Sequence, residues 1–244
     1  MQNYCKTIGA LAAASALVAG NASAEVEYEI HTGYSNEYIF RGIDLGNDLT
    51  EFGLDAATEV NGWGLSAGLW ATAFDQSFTP DQIDSETDLY AEVSKDLGFA
   101  TAAVGYIYYW NLGSTSGGTD DQEVYFQLSR DFGFATGSVT YFWDMVENNG
   151  GNDGYTELAL SRSWELNPCL TLNVGTNVGL LTESGCDHFT AWTTKCSLDW
   201  GFVENAKLSP FIALAIALGE NGNGNTWGQT DNEFVAGSML SVSF

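Results

Sequence analysis

The sequence predicts an all-β fold, an antiparallel up-and-down transmembrane β-barrel of about twelve strands. Three observations carry that expectation. Side chains alternate with a period of two over most of the chain. Short turns alternate with longer polar connections, and aromatic residues collect at both ends of the strands.

The 244 residues include 32 acids and only 7 bases, a formal charge of −25, with 45% hydrophobic and 14% aromatic residues. So few Lys and Arg argue against nucleic acid as a partner, because phosphates need cationic neighbours. The hydrophobic content argues against disorder. Residues 1–24 read as a signal peptide: Lys6 is the only charged side chain, Ile8 to Val18 is apolar, and Ala22-Ser23-Ala24 offers a small-x-small cleavage site. Residues 25–244 are then the barrel. No later stretch is apolar for long enough to cross a membrane as a helix, so export leaves a secreted protein or an outer-membrane barrel.

The alternation is clearest where Leu170, Leu172, Val174, Thr176, Val178 and Leu180 interleave with Thr171, Asn173, Gly175, Asn177 and Gly179. Leu208, Ile212, Leu214 and Ile216 do the same against Ser209, Ala213, Ala215 and Ala217. One face is aliphatic and the other small and polar, as in a closed barrel whose opposing walls crowd one another. The strands read as Val26–Ile43, Thr50–Val60, Trp63–Phe74, Glu86–Lys95, Phe99–Trp110, Gln122–Arg130, Phe134–Asp144, Tyr155–Arg162, Cys169–Leu181, His188–Asp199, Lys207–Leu218 and Glu233–Phe244. The first is long enough to predict that it protrudes or carries a bulge near Ser35 and Asn36.

Asn61-Gly62 signals a two-residue hairpin, and Asp96 to Gly98, Asp131 to Gly133 and Ser163 to Pro168 are also short. A repeat reinforces this, since Val93 to Thr101 recurs as Leu128 to Thr136 with the same Asp-x-Gly-Phe-Ala-Thr ending. Six longer connections separate the short turns, including Asp75 to Ser85, Asn111 to Asp121, Met145 to Gly154 and Gly219 to Asn232. Trp63, Phe99, Phe134, Trp164 and Trp200 lie beside the short turns. Tyr38, Phe40, Trp70, Tyr106, Tyr108, Trp110, Tyr141 and Trp143 lie toward the longer connections, and the two sets read as aromatic girdles.

Ser35-Asn36-Glu37-Tyr38-Ile39-Phe40-Arg41-Gly42, with an acidic stretch after it and the Gly64 to Trp70 run beyond, resembles the opening of the TorF-type porins, the Gcw_chp family. The resemblance implies a Gram-negative outer-membrane barrel that forms a pore, and it carries over no catalytic residue. The terminal Leu240, Val242 and Phe244 alternate up to a final aromatic, which resembles the signal read by the barrel-assembly machinery. The expected partners are outer-membrane lipid, that machinery, and small solutes or cations.

Strand parity turns Glu27, Glu29, Glu51, Asp55, Glu59, Glu86, Asp88, Glu92, Glu123 and Glu157 inward, with Arg41 and Lys195 the inward bases, while Lys95, Arg130 and Arg162 fall on the outer parity. An interior rich in carboxylates predicts passive passage of small solutes with a preference for cations. The competing expectation is a barrel whose carboxylates fill a closed, non-conducting lumen, with adhesive or structural function in loops such as Ser114 to Asp121 and Asn221 to Asn225. A hydrolase is the weaker alternative, with His188 beside Asp187 and Ser184 as its candidate, and the chain is not expected to be an enzyme. No cofactor or metal is expected. His31 and His188 are isolated in sequence, calcium binding by Asp120, Asp121, Asn152 or Asp153 lacks a loop motif, and Cys186 with Cys196 could close a small loop, the pairing among Cys169, Cys186 and Cys196 staying open with one thiol left over.

Overall fold

The computed structural model describes residues 25–76, 85–112, 120–145, 154–183, 186–218 and 232–244. Residues 1–24, read above as a signal peptide, and residues 77–84, 113–119, 146–153, 184–185 and 219–231, with Ser184, Asn152 and Asp153 among them, lie outside the described residues. Among the described residues twelve antiparallel strands close into one barrel, each paired with its sequence neighbours and β1 paired with β12. They are β1 (Glu27–Phe40), β2 (Ile43–Val60), β3 (Trp63–Gln76), β4 (Ser85–Asp96), β5 (Thr101–Leu112), β6 (Asp121–Asp131), β7 (Thr136–Asp144), β8 (Gly154–Asn167), β9 (Leu170–Glu183), β10 (Cys186–Val203), β11 (Ala206–Ala217) and β12 (Glu233–Ser243). Closure gives every strand two neighbours, and the last residue takes part: Phe244 donates its N–H to the carbonyl of Tyr28 at 2.9 Å.

The burial pattern is the reverse of a water-soluble globule. Leu158 is 52% exposed and Ile212 51%, whereas Asp88 is 1% exposed and Glu123 4%. In water the outer surface would be a continuous apolar patch far beyond what a soluble monomer tolerates. Trp63, Phe99, Phe134, Trp164 and Trp200 are all exposed at the short-turn end, and Tyr106, Trp110 and Trp143 at the other. Bases accompany the first set: Lys95 lies over the Trp63 ring, Arg130 over Phe132 and Arg162 over Trp164.

The repeated Asp-x-Gly sequence folds the same way twice. Asp96 Oδ1 accepts from the Gly98 N–H and Asp131 Oδ1 from the Gly133 N–H, both at 2.7 Å, with each glycine in the left-handed region at φ 85° and 82°. Asn61-Gly62 closes β2 and β3 with both residues at positive φ, the two-residue turn that matches strand twist.

The largest departure from expectation is at the first hairpin. β1 does not run to Ile43, and no loop spans residues 44–49. The chain reverses at Arg41-Gly42, with φ 54° and 86°, and β2 begins at Ile43. The sequence places Arg41 on a strand before a loop because the turn carries no Asn-Gly or Asp-Gly signal. Strand β1 pairs with β12 only as far as Ser35 opposite Gly237; beyond it β1 pairs only with β2, which itself stays paired to β3 as far as Gly46 opposite Gln76. Asn36 seals the departure point, its side chain accepting from the Ala236 N–H at 2.6 Å and donating to the Phe234 carbonyl at 3.1 Å. The bulge falls at Tyr38/Ile39 rather than at Ser35 and Asn36. The β8–β9 turn shortens likewise to Pro168-Cys169, because β8 continues to Asn167, and β9 and β10 run to within two residues of each other.

Candidate functional site

Free of the wall, the tip of the β1–β2 hairpin bends into the barrel. The Arg41 guanidinium reaches β6, which lies nearly opposite β1 in the ring, and donates two hydrogen bonds of 2.7 Å to the two carboxylate oxygens of Glu123. Three rings enclose it, with its central carbon 4.7 Å from the centroid of Phe40, 4.6 Å from Phe142 and 4.5 Å from Tyr155. Such a planar cation suits both a bidentate carboxylate and stacked aromatic faces. Gly42 sits against the β10 bulge, where a Cβ would lie 2.4 Å from that of Ala191.

Below and beside the tip the interior is packed with side chains. Ile107, Tyr109, Tyr125, Phe142 and Tyr155 form one buried cluster, and Tyr38, Leu49 and Phe74 another. Trp70, Tyr38 and Phe40 therefore do not belong to an aromatic girdle. Trp70 stands on the inward parity of β3, and the other two ride the inward hairpin.

The acids meet these aromatics. Trp70 donates its indole N–H to Glu51 at 2.6 Å, Tyr38 its hydroxyl to Glu86 at 3.0 Å, Tyr125 to Glu92 at 2.8 Å and Tyr109 to Glu123 at 2.8 Å. Tyr90 does the same for Asp55 at 2.5 Å, and Asn177 donates to Glu157 at 2.8 Å. Asp88 is the most buried of them, and its Oδ1 has no hydrogen-bond partner among the described residues. Glu59 is half-buried near the Asn61-Gly62 turn, Glu29 accepts from the Ser243 hydroxyl at 3.2 Å, and Glu27 is exposed at the short-turn end. Lys195 lies 3.8 Å over the Phe211 ring.

The aromatic donors were missed in the sequence, although parity could have found them. Tyr90 lies between Asp88 and Glu92 on one face of β4, and Tyr125 follows Glu123 on β6. Inward glycines make the room: a Cβ on Gly105 would sit 2.2 Å from the ring of Tyr125, its partner across the strand pair. His31 is not isolated in space either, since its Nδ1 lies 3.3 Å from Asp55 Oδ2. The His188 side chain is outside the described residues.

Cys186 and Cys196 lie ten residues apart on the single strand β10. An extended chain separates them by about 30 Å, far beyond disulfide reach, so that bridge is excluded. Cys196 and Cys169 are free thiols. At the C-terminus Leu240 pairs with Thr32 and Val242 with Ile30, so both stand on the strand that closes the barrel.

The chain shares the overall fold of solved barrels and is distant from them in sequence. It aligns with the KdgM porin at a TM-score of 0.53 and 9% identity, covering 89% of this chain and 99% of that one. An outer-membrane channel of Pseudomonas putida F1 aligns at 0.53 and 10%, covering 92% and 97%, and the NanC porin at 0.52 and 14%, covering 89% and 98%. At these identities the likeness is one of fold. No curated protein matches the sequence. Residues 19–207 match the family described as "Bacterial protein of unknown function (Gcw_chp)", and the chain belongs to that family.

Proposed function

We propose that this protein is an outer-membrane, porin-like channel that passes small solutes through a narrow acidic lumen with a preference for cations. The observation that carries the reading is the charge of the interior. Glu29, Glu51, Asp55, Glu86, Asp88, Glu92, Glu123 and Glu157 project to the inside of the wall, against Arg41 and Lys195. Arg41 already spends its charge on Glu123. The excess of carboxylates over bases concentrates counter-cations and opposes anions. The exposed apolar band and its two aromatic rims suit a bilayer, and the barrels of similar shape are channels and porins by name.

In this reading residues 1–24 are removed on export, the short turns face the periplasm, and Leu240, Val242 and Phe244 are recognised during assembly. The inward hairpin sets the constriction, so conductance is small. The test is a planar-bilayer reversal potential under a salt gradient. A cation-selective potential supports the reading, and anion selectivity overturns it.

A second reading has its own observation. Side chains fill the level of Arg41, with Ile107 fully buried and Asp88 and Tyr125 nearly so. A barrel filled in this way is also what a non-conducting structural or adhesive protein requires, and its signature in the same bilayer is no conductance.

A further inference from the structure

We propose that Glu29, His31 and Asp55 form a binding site for one divalent transition-metal cation of the zinc class at the short-turn end of the barrel interior. Glu29 and Asp55 are direct partners across the β1–β2 pair, and His31 follows Glu29 by two residues on the same face. One donor atom from each lies within 4.8 Å of the others. The three come from two adjacent strands of a closed sheet, so the wall fixes their spacing.

The surroundings orient each donor. His31 faces Gly53 across the pair, and a Cβ there would lie 2.1 Å from its Nε2. The glycine lets the ring lie against the wall with Nδ1 turned to Asp55, 3.3 Å away. Asp55 is held at its other oxygen by the Tyr90 hydroxyl at 2.5 Å, and Glu29 by the Ser243 hydroxyl at 3.2 Å. Metal ligands are characteristically braced by such outer hydrogen bonds.

The donor set chooses the ion. One imidazole nitrogen with two carboxylate oxygens suits zinc and its neighbours, whereas magnesium and calcium prefer oxygen alone. Three protein ligands leave a position for water, and all three residues are partly buried yet reachable, His31 at 13% and Asp55 at 25% side-chain exposure, so the ion would exchange with the lumen. The site stands whether or not the barrel conducts, because binding and conductance are read separately.

Isothermal titration of Zn2+ into the chelator-stripped barrel, folded in detergent, tests it. The expected result is one Zn2+ per barrel, with affinity at least tenfold weaker in His31→Gln and in Asp55→Asn and unchanged in Glu165→Gln, an exposed carboxylate on β8. Mg2+ should not compete. Heat-modifiable migration on a detergent gel verifies that each variant is folded. Absence of Zn2+ binding by the parent barrel, or equal binding by folded His31→Gln, would overturn the site and leave the three side chains a polar cluster of the wall.

Discussion

Arg41 and Glu123 meet across the barrel, 82 positions apart in sequence, through two hydrogen bonds of 2.7 Å, so the tip of the first hairpin is tied to the far wall. Removing one partner of a buried pair leaves the other charge uncompensated, at a cost of about 3–5 kcal/mol. Arg41→Ala should therefore lower the thermal or urea midpoint of the folded barrel clearly. The double variant with Glu123→Gln should lose less than the sum of the two single changes. In a planar bilayer Arg41→Ala should also raise single-channel conductance, since it frees the tip from the lumen. Unchanged stability would mean that the tie does not hold the hairpin.

Gly42 faces two constraints at once, and they can be separated. Its φ of 86° is unfavourable for any residue with a Cβ, by about 1–2 kcal/mol. The contact with Ala191, where a Cβ would approach to 2.4 Å, adds a packing cost. Gly42→Ala should destabilise by about 2–4 kcal/mol. Adding Ala191→Gly should recover the packing part and leave the backbone part, read as a partial return of the unfolding midpoint. Full loss of midpoint with no recovery would place the whole effect in the turn.

The barrel was legible because its rule is local. A period of two, Asp-x-Gly turns at Asp96 and Asp131, and the phenylalanines Phe99 and Phe134 directly after them are all readable over a few residues. The same rule gave the acids their parity, since Glu86, Asp88 and Glu92 alternate with Leu89, Ala91 and Val93. The inward hairpin was not legible, because its cause is long-range. Arg41-Gly42 turns without a turn signature, and what draws the tip inward is Glu123, Phe142, Tyr155 and the space left at Ala191. Trp70 was misread for a related reason. Its distance along the strand suits a rim, and only its parity, shared with Thr72 and Phe74, turns it to Glu51.

Cys169 offers a test of orientation. It is an exposed free thiol in the turn between β8 and β9, at the short-turn end, whereas Cys196 alternates outward with Trp192 and Trp200 in the apolar band. In a barrel whose short turns face the periplasm, a membrane-impermeant maleimide should leave intact cells unlabelled at Cys169. In a Cys186→Ser background it should label that residue once the outer membrane is permeabilised, and the further change Cys169→Ser should remove the signal. Labelling of Cys169 in intact cells would invert the orientation.

The last prediction concerns closure. Phe244 contributes twice: its backbone donates to Tyr28 and accepts back at 3.3 Å, and its ring is 69% exposed beside the short-turn rim. Phe244→Ala keeps the backbone pair and removes the ring, whereas deletion of residue 244 removes both. If the ring is what the assembly machinery reads, both variants should accumulate less heat-modifiable barrel in cells, while Phe244→Ala refolds into detergent like the parent. If the residue acts only by closing β1 against β12, Phe244→Ala should assemble normally and deletion alone should fail, in cells and in detergent alike. Measuring the heat-modifiable fraction in both settings separates recognition from the closing hydrogen bonds.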